Sequence, residues 1–366
     1  MNPAGAPDIQ PKRMSSTNLF SAGRIDGFAT PNRIVMAPMT RSRASNEVPS
    51  ELAIEYYSQR ATAGLIISEG TAPSAMGIGY ARTPGIYTAE QIAAWKKITD
   101  GVHAKGGRIF LQIMHVGRIA HSANRSIPDA PVAPSAIRAA GKMWTDTQMM
   151  QDNDLPRALE TAEIPGVIAE YAQATRNALE AGFDGVELHA ASGYLPMQFL
   201  STGSNHRTDQ YGGSVENRIR FVVETLQAMS AAAGGASKVG IKLSPGMAFN
   251  DIQDDNPVET YTELVKAISP LGLAYLHVMR SAEPANILGL LRPLFNGPFI
   301  AGGGFDLASG NEILREGGAE FVAYGRFYIS NPDLVARFEN GAALAEADAS
   351  TFYMPGPAGY IDYPAL

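Results

Sequence analysis

Eight short apolar runs, each followed by a polar or amphipathic stretch, constrain the fold of this chain more than any other feature of its sequence. Helical segments such as Ala89 to Gly106 and Pro165 to Gly182 lie between the runs, and both end in glycine, a common residue at a helix C-terminus. Strands that alternate with helices are typical of a parallel sheet, and eight such units favour a closed (β/α)8 TIM barrel of the α/β class. The runs are Ile34 to Met39, Gly64 to Gly70, Ile109 to His115, Gly185 to Ala191, Val239 to Pro245, Ala274 to Arg280, Pro298 to Gly304 and Phe321 to Arg326.

The sequence predicts one barrel domain over residues 19–366, preceded by a flexible leader over residues 1–18 that is polar and rich in proline. Although 366 residues could form two average domains, α/β barrels often exceed that length as one unit. The stretch from Leu19 to Arg33 predicts a hairpin that covers the amino-terminal end of the barrel as a lid. The stretch from Arg118 to Glu163 predicts a long excursion after the third strand, and loops of that length are often functional.

Composition excludes several classes of function. With a formal net charge of -7, the chain lacks the basic bias of nucleic-acid-binding proteins. It has no cysteine, which excludes disulfides, thiolate nucleophiles and cysteine-bound metal clusters, and we predict no metal site. No apolar run has the length of a membrane span or the character of a signal peptide. We therefore expect a cytoplasmic protein, as a monomer or homodimer, that acts on small molecules and binds neither nucleic acid nor a membrane.

Polar side chains accumulate at the carboxyl ends of the predicted strands, where buried parallel strands should be apolar. Taken singly, each has a commoner structural explanation, and Glu69 in particular could pair with a neighbouring base. Together they predict a polar ligand site at this end of the barrel, which we call the mouth. The residues are Thr40, Glu69, Gln112, His115, His189, Ser192, Tyr194, Lys242 and Arg280.

Glycines follow the last two predicted strands. Gly303 and Gly304 follow the seventh strand, and Gly325 and Arg326 follow the eighth. Clustered glycines most often mean a tight turn, but backbone amides at this position of a TIM barrel commonly bind phosphate, and Arg326 can pair with a dianion. An amide at Gln112 and a cation at Lys242 are the side-chain types that suit the ring of a flavin mononucleotide (FMN) laid across the mouth.

Several longer segments, among them the distinctive DQYGGSVENR at 209–218, point to a known family. The segments are Asn32 to Ala44, Gly64 to Thr71, Gly182 to Leu200, Ser204 to Phe221, Tyr324 to Phe338 and the closing GYIDYPAL. On these segments, and over nearly its whole length from residue 19 onwards, the chain resembles the old yellow enzymes. These are FMN-dependent ene-reductases of the NADH:flavin oxidoreductase and NADPH dehydrogenase type.

The resemblance implies a set of cofactor contacts. The backbone of Ala37, Pro38 and Met39, with the Thr40 hydroxyl, would hold the flavin near its reactive nitrogen, and Gly70 would line the ring. Gln112 would bind the pyrimidine edge. Lys242 stands where the family commonly has arginine, so it keeps the charge but loses the forked geometry. Gly303, Gly304, Gly325 and Arg326 would form the phosphate site.

The resemblance also implies a substrate site. The family binds the substrate carbonyl with an HxxH or HxxN pair, and here the motif reads His189 to Ser192, so that a shorter hydroxyl replaces the second partner. Tyr194 matches the proton donor, although it could simply line the mouth. Met114 replaces a frequent tryptophan and softens the pocket. Tyr353, near the C-terminus, would contact the substrate as part of a lid.

The implied reaction is a ping-pong cycle in which NADPH or NADH reduces the flavin and leaves, after which an α,β-unsaturated carbonyl compound takes a hydride at its β-carbon and a proton from Tyr194. Two other hypotheses about the function stay open. One is a redox-free aldolase or isomerase barrel that binds a phosphorylated ligand and uses Lys242 as a Schiff base or general base. The other is a flavin enzyme of this family that reduces nitro compounds or acts as an isomerase.

Overall fold

The computed structural model describes residues 16–25 and 27–366, so most of the predicted leader lies outside the described residues. Within this part of the chain the strands are β1 Gly23–Ile25, β2 Phe28–Thr30, β3 Ile34–Met36, β4 Leu65–Ile67, β5 Ile109–Ile113, β6 Val132–Ala133, β7 Lys142–Thr145, β8 Met149–Asp152, β9 Arg157–Ala158, β10 Gly185–Ala190, β11 Val239–Leu243, β12 Tyr275–Met279, β13 Phe299–Gly302 and β14 Phe321–Tyr324. The α-helices are α1 Leu52–Ser58, α2 Ala89–Ala104, α3 Ile164–Glu180, α4 Leu195–Leu200, α5 Val215–Ala232, α6 Pro257–Ile268, α7 Ile287–Leu291, α8 Leu307–Arg315, α9 Arg326–Ser330 and α10 Leu334–Asn340.

Eight parallel strands close into a barrel, in the order β3, β4, β5, β10, β11, β12, β13, β14 and back to β3. Each lies inside one of the eight predicted runs, which confirms the (β/α)8 fold. The strands end before the runs do. Gln112, His189 and Lys242 are each the second-last residue of a strand, and Thr40, Ser192 and Tyr194 lie in the segments that follow strands.

The helices pack around the barrel as their patterns predict. Helix α2 begins with a capping box in which Thr88 and Gln91 satisfy each other's backbone N–H groups. Helix α3 buries an apolar face that includes Tyr171, Ala174 and Ala178, and it packs against α5. In the described part of the chain, no helix combines the length and the apolar character that crossing a lipid bilayer requires.

The predicted N-terminal hairpin is confirmed. Strands β1 and β2 pair antiparallel, and Ile25 at the end of β1 is fully buried. Ile25 and Phe28 pack in one cluster with Phe110 and Phe321, which lie at the starts of barrel strands. The hairpin therefore closes the amino-terminal end of the barrel with apolar side chains.

The excursion after the third barrel strand is also confirmed, and it has structure of its own. Strands β7 and β8 form an antiparallel hairpin, and β6 pairs in parallel with β9. Arg207, just before the distinctive 209–218 segment, donates hydrogen bonds to the Pro134 and Leu159 carbonyls and to Asp209. Arg207, together with Asp209, which accepts a hydrogen bond from Thr161, therefore fastens the excursion to the body of the barrel.

Candidate active site

A cavity of about 860 Å³ opens at the mouth of the barrel, within the ~300–1,000 Å³ range of small-molecule sites. Its walls come from the ends of the barrel strands, from the excursion and from the C-terminal segment. Among the residues predicted for the site, those that line this cavity are Pro38, Thr40, Gln112, Met114, His189, Ser192, Tyr194, Lys242 and Tyr353.

Gln112 and Lys242 form the buried inner part of the cavity. Gln112 lies on β5, and its Nε2 donates a 2.7 Å hydrogen bond to Glu187 Oε1. Lys242 lies on β11 and is 7% exposed. Burial lowers the pKa of Lys242, and the charge of Glu187 opposes that change. Nζ of Lys242 makes no hydrogen bond to any described residue, so its N–H groups are available to a ligand.

His189 presents a neutral hydrogen-bond donor to the cavity. It lies beside Lys242 in the register of β10 and β11. Burial, followed by electrostatic interactions with Lys242 and His277, holds the pKa of His189 well below its ordinary value. The backbone N–H of Ala191 donates to Nδ1 at 3.3 Å, so the ring proton of the neutral imidazole belongs on Nε2.

Ser192 sits in a strained turn directly after β10. Its φ of 56° is in the left-handed region that non-glycine residues rarely occupy. Two hydrogen bonds hold it there: the Ser192 N–H donates to Ser244 Oγ at 2.8 Å, and Asn250 Nδ2 donates to the Ser192 carbonyl at 2.8 Å. This turn brings the Ser192 hydroxyl to the same cavity as His189.

Tyr194 caps the N-terminus of α4 and is 7% exposed. Its ring meets that of His189 edge-on with 4.8 Å between centroids, and its hydroxyl donates to Tyr80 Oη at 3.2 Å. Burial, together with Tyr80, raises the pKa of Tyr194 well above its ordinary value. The phenol is therefore protonated at neutral pH and able to give a proton.

The C-terminal segment and the excursion meet over the mouth. Tyr353 is 60% exposed, and its carbonyl accepts a hydrogen bond from Arg82, which is also paired with Asp146 of the excursion. Arg43 donates to the carbonyls of Thr351 and of the residue that follows it, which fixes the segment that carries Tyr353. The guanidinium groups of Arg82 and Arg43 thus hold the excursion and the C-terminal segment in place.

The predicted phosphate corner lies at the ends of β13 and β14, beside this cavity. Gly303 and Gly304 have φ of 103° and 76°, and a Cβ on Gly303 would lie 2.9 Å from Arg280. The N–H groups of Gly303, Gly304 and Gly325 donate to no acceptor in the described residues. The guanidinium of Arg326 is exposed and likewise has no partner there. Free amides beside an unpaired cation fit the phosphate of FMN.

The remaining predicted cofactor residues connect the corner to the cavity. A Cβ on Gly325 would lie 3.5 Å from Met39 Sδ and 3.8 Å from Ala37 Cβ. Gly70 lies against Met114, whose Sδ would be 2.6 Å from a Cβ there. Ala37 and Met39, the chain neighbours of Pro38 in the cavity, therefore lie beside the phosphate corner, and the groups present fit both the ring and the phosphate of FMN.

Three of the polar residues grouped at the mouth in the sequence do not line this cavity. Glu69 is buried with Arg41 and Arg43 nearby, and burial raises its pKa to about 7. His115 is fully buried and accepts a hydrogen bond from the Gly117 N–H. Arg280 stacks on Phe305 at the outer surface. Glu69 thus has the structural explanation that its sequence left open.

Sequence reasoning did not single out Tyr80, Glu187 or His277. Tyr80 lies in a loop without periodicity, so nothing in the sequence links it to Tyr194. Glu187 and His277 lie within buried strands, and a charged residue inside a buried parallel strand is a signal that could have found them. Their partners, however, come from strands distant in the chain.

A family model described as NADH:flavin oxidoreductase / NADH oxidase family matches residues 18–345. A curated relative, 12-oxophytodienoate reductase 1 of Oryza sativa subsp. japonica, is 46% identical over 354 residues, covering 92% of this chain and 90% of the relative. The solved structure of morphinone reductase in complex with tetrahydroNAD is 45% identical, with a TM-score of 0.93 over 96% of this chain and 98% of the other. An old yellow enzyme homologue from Zymomonas mobilis is 38% identical, with a TM-score of 0.93 over 95% of this chain and 100% of the other.

Proposed function

The chain belongs to the NADH:flavin oxidoreductase / NADH oxidase family, the old yellow enzymes, and within that family of FMN-dependent oxidoreductases we propose a specific reaction and site. The protein reduces the C=C bond of α,β-unsaturated carbonyl compounds with NADPH or NADH as the hydride source. Tyr194 is the proton donor, and His189 and Ser192 bind the carbonyl oxygen.

One observation carries the proposal. A neutral imidazole donor at His189 and a protonated phenol at Tyr194 lie edge-to-face, with 4.8 Å between their ring centroids, on the wall of a cavity that Gln112 and Lys242 also line. A carbonyl compound needs a donor at its oxygen and a proton source at its α-carbon. This wall offers both, and the rest of the cavity offers groups suited to a flavin.

When bound, FMN would supply hydride transfer, receiving a hydride from the nicotinamide and delivering one to the β-carbon. His189 donates from Nε2 to the carbonyl oxygen, which draws electron density from the β-carbon. Because the His189 imidazole is neutral, it donates a hydrogen bond from Nε2 but does not transfer that proton to the substrate. The Ser192 hydroxyl supplies a second hydrogen bond, and Tyr194 Oη gives its proton to the α-carbon.

The cofactor would be held by the residues placed above. Pro38 and Thr40 line the cavity, Ala37 and Met39 lie next to Gly325, and Gly70 lies against Met114. Gln112 and Lys242 provide the amide and the cation, while Gly303, Gly304, Gly325 and Arg326 take the phosphate. Met114 and Tyr353 border the space left for the substrate, and residues of the excursion line the same cavity.

The names of relatives support reduction as the reaction. Among them are a 12-oxophytodienoate reductase and a morphinone reductase, the latter solved with tetrahydroNAD. The redox-free aldolase or isomerase alternative does not agree with membership of a flavin oxidoreductase family. No observation in the described residues favours a nitro compound over an enone.

The proposal is tested by an anaerobic visible spectrum of the purified protein. We expect flavin absorbance that is bleached by NADPH or NADH and restored by cyclohexenone. Cyclohexanone, which lacks the C=C bond, is the matched control and should restore nothing. Absence of flavin would contradict the cofactor site, and a bleached flavin that cyclohexenone does not reoxidise would contradict the substrate class.

A further inference from the structure

A fully buried carboxylate lies directly beneath the cavity. Glu187 is 0% exposed and precedes His189 by two residues on β10, so it points to the same side of the sheet, one layer deeper in the barrel. Its Oε1 accepts the 2.7 Å hydrogen bond from Gln112 Nε2, and its Oε2 lies 3.0 Å from His277 Nδ1. The carboxylate therefore connects β5, β10 and β12.

The bond to Glu187 determines which end of the Gln112 amide faces the cavity. An ionised carboxylate only accepts hydrogen bonds, so the nitrogen of the amide must be the end that meets it. The carbonyl oxygen and the second N–H of Gln112 are then left for a ligand. Without this partner, the amide could rotate and present its groups in the opposite order.

Glu187 also supplies the negative charge that acts on Lys242. A buried ammonium group without an opposite charge is costly. The ammonium group of Lys242 has no hydrogen bond among the described residues. Lys242 follows Gly240, the register partner of Glu187, by two residues, so the two side chains point to the same side of neighbouring strands. The charge of Glu187 opposes the lowering of the Lys242 pKa by burial. His277 meets the carboxylate through Nδ1, and burial lowers the pKa of its ring, so it adds no positive charge at neutral pH.

We propose that Glu187 is a positioning residue of the flavin site, which fixes the Gln112 amide and balances the charge of Lys242, and so sets both the affinity for FMN and its reduction potential. The inference rests on the proposed cofactor site. It concerns a residue that lines no part of the cavity and acts only through its two neighbours.

Two substitutions separate the two roles. Glu187→Gln keeps the length and an oxygen that can accept from Gln112, but it removes the charge. Glu187→Asp keeps the charge but withdraws the carboxylate from Gln112 by one methylene. The FMN dissociation constant is measured by flavin fluorescence on reconstituted apoprotein, and the midpoint potential by anaerobic titration with a reference dye. Tyr261→Phe, which removes a buried hydroxyl on α6 that has no hydrogen-bond partner among the described residues, is the matched control.

We expect Glu187→Asp to raise the FMN dissociation constant about tenfold, the loss of one charge-assisted hydrogen bond, with little change in potential. Glu187→Gln should shift the reduction potential upwards. Reduction adds negative charge to the cofactor, and this variant lacks a nearby negative charge that would repel it. Unchanged affinity and potential in both variants would overturn the inference, as would equal changes in both that Tyr261→Phe reproduces. Failure of the wild-type protein to bind FMN would instead overturn the proposed function. If Glu187→Gln does not fold, the Glu187→Asp result still decides the role at Gln112.

Discussion

Tyr194 is a buried phenol that is protonated at neutral pH, so its contribution as proton donor can be measured by removing the hydroxyl. We expect Tyr194→Phe to slow enone-dependent flavin reoxidation by about 10²–10⁴-fold, the usual contribution of general acid catalysis. Flavin reduction by NADPH or NADH should be unchanged, since it needs no proton from this residue. Stopped-flow absorbance measures the two half-reactions separately.

The matched control is Tyr261→Phe, because Tyr261 is a buried tyrosine on α6 whose hydroxyl has no hydrogen-bond partner among the described residues. Its variant should keep both half-reactions at the wild-type rate. A Tyr194→Phe protein that is reoxidised by the enone at the normal rate would contradict the assignment of the proton donor.

Ser192 combines a strained backbone with a short side chain. Asparagine occupies the left-handed region more readily than serine, and its amide reaches further into the cavity. We therefore expect Ser192→Asn to keep or raise stability and to lower KM for cyclohexenone. Ser192→Ala should raise KM by about two- to tenfold, the value of one hydrogen bond. Steady-state kinetics and thermal melts measure both effects, and equal KM values in the two variants would remove Ser192 from the carbonyl site.

The turn between β13 and α8 is the element on which the phosphate corner depends. Gly303 needs a positive φ, and a Cβ there would press on Arg280. We expect Gly303→Ala to destabilise the protein by at least about 1 kcal/mol and to weaken FMN binding, because the turn must shift. Gly317→Ala is the control, since Gly317 has φ of 71° but open space around it. Chemical denaturation and FMN titration should show backbone strain in both variants and lost FMN affinity only in Gly303→Ala.

The barrel and most of its site could be predicted from the sequence, because each element carries its own signal. Strand β10 is an example: its apolar run predicts the strand, and His189 and Ser192 stand out at its end. Glu187 on the same strand was not recognised, because its contacts are with Gln112 and His277, whose strands are distant in the chain. Tyr80 was missed since loops have no periodicity to interpret. Sequence patterns thus located positions along strands but not contacts across the barrel.

At the scale of the whole molecule, the ligand site is divided among strands on opposite sides of the barrel. Thr40 follows β3, Lys242 lies on β11, and Gly303 and Gly325 follow β13 and β14. One ligand that contacts all of these groups would bind only when the strand ends are in their native arrangement, so its binding would stabilise the folded barrel as a whole. At a hundredfold excess over the dissociation constant that stabilisation is about 2.7 kcal/mol.

We therefore expect FMN to raise the melting temperature of the apoprotein more than riboflavin does at the same concentration, since riboflavin lacks the phosphate. The difference between the two melting temperatures measures the contribution of the phosphate corner alone.

Arg326→Ala should reduce this difference, because the exposed Arg326 guanidinium has no competing partner in the described chain and its charge would be directed to the phosphate. Arg176→Ala, on the exposed face of α3, serves as the control for loss of one surface cation. Equal stabilisation by FMN and riboflavin in the wild-type protein would place the phosphate outside this corner, whereas a difference that survives Arg326→Ala would assign it to the backbone amides of Gly303, Gly304 and Gly325.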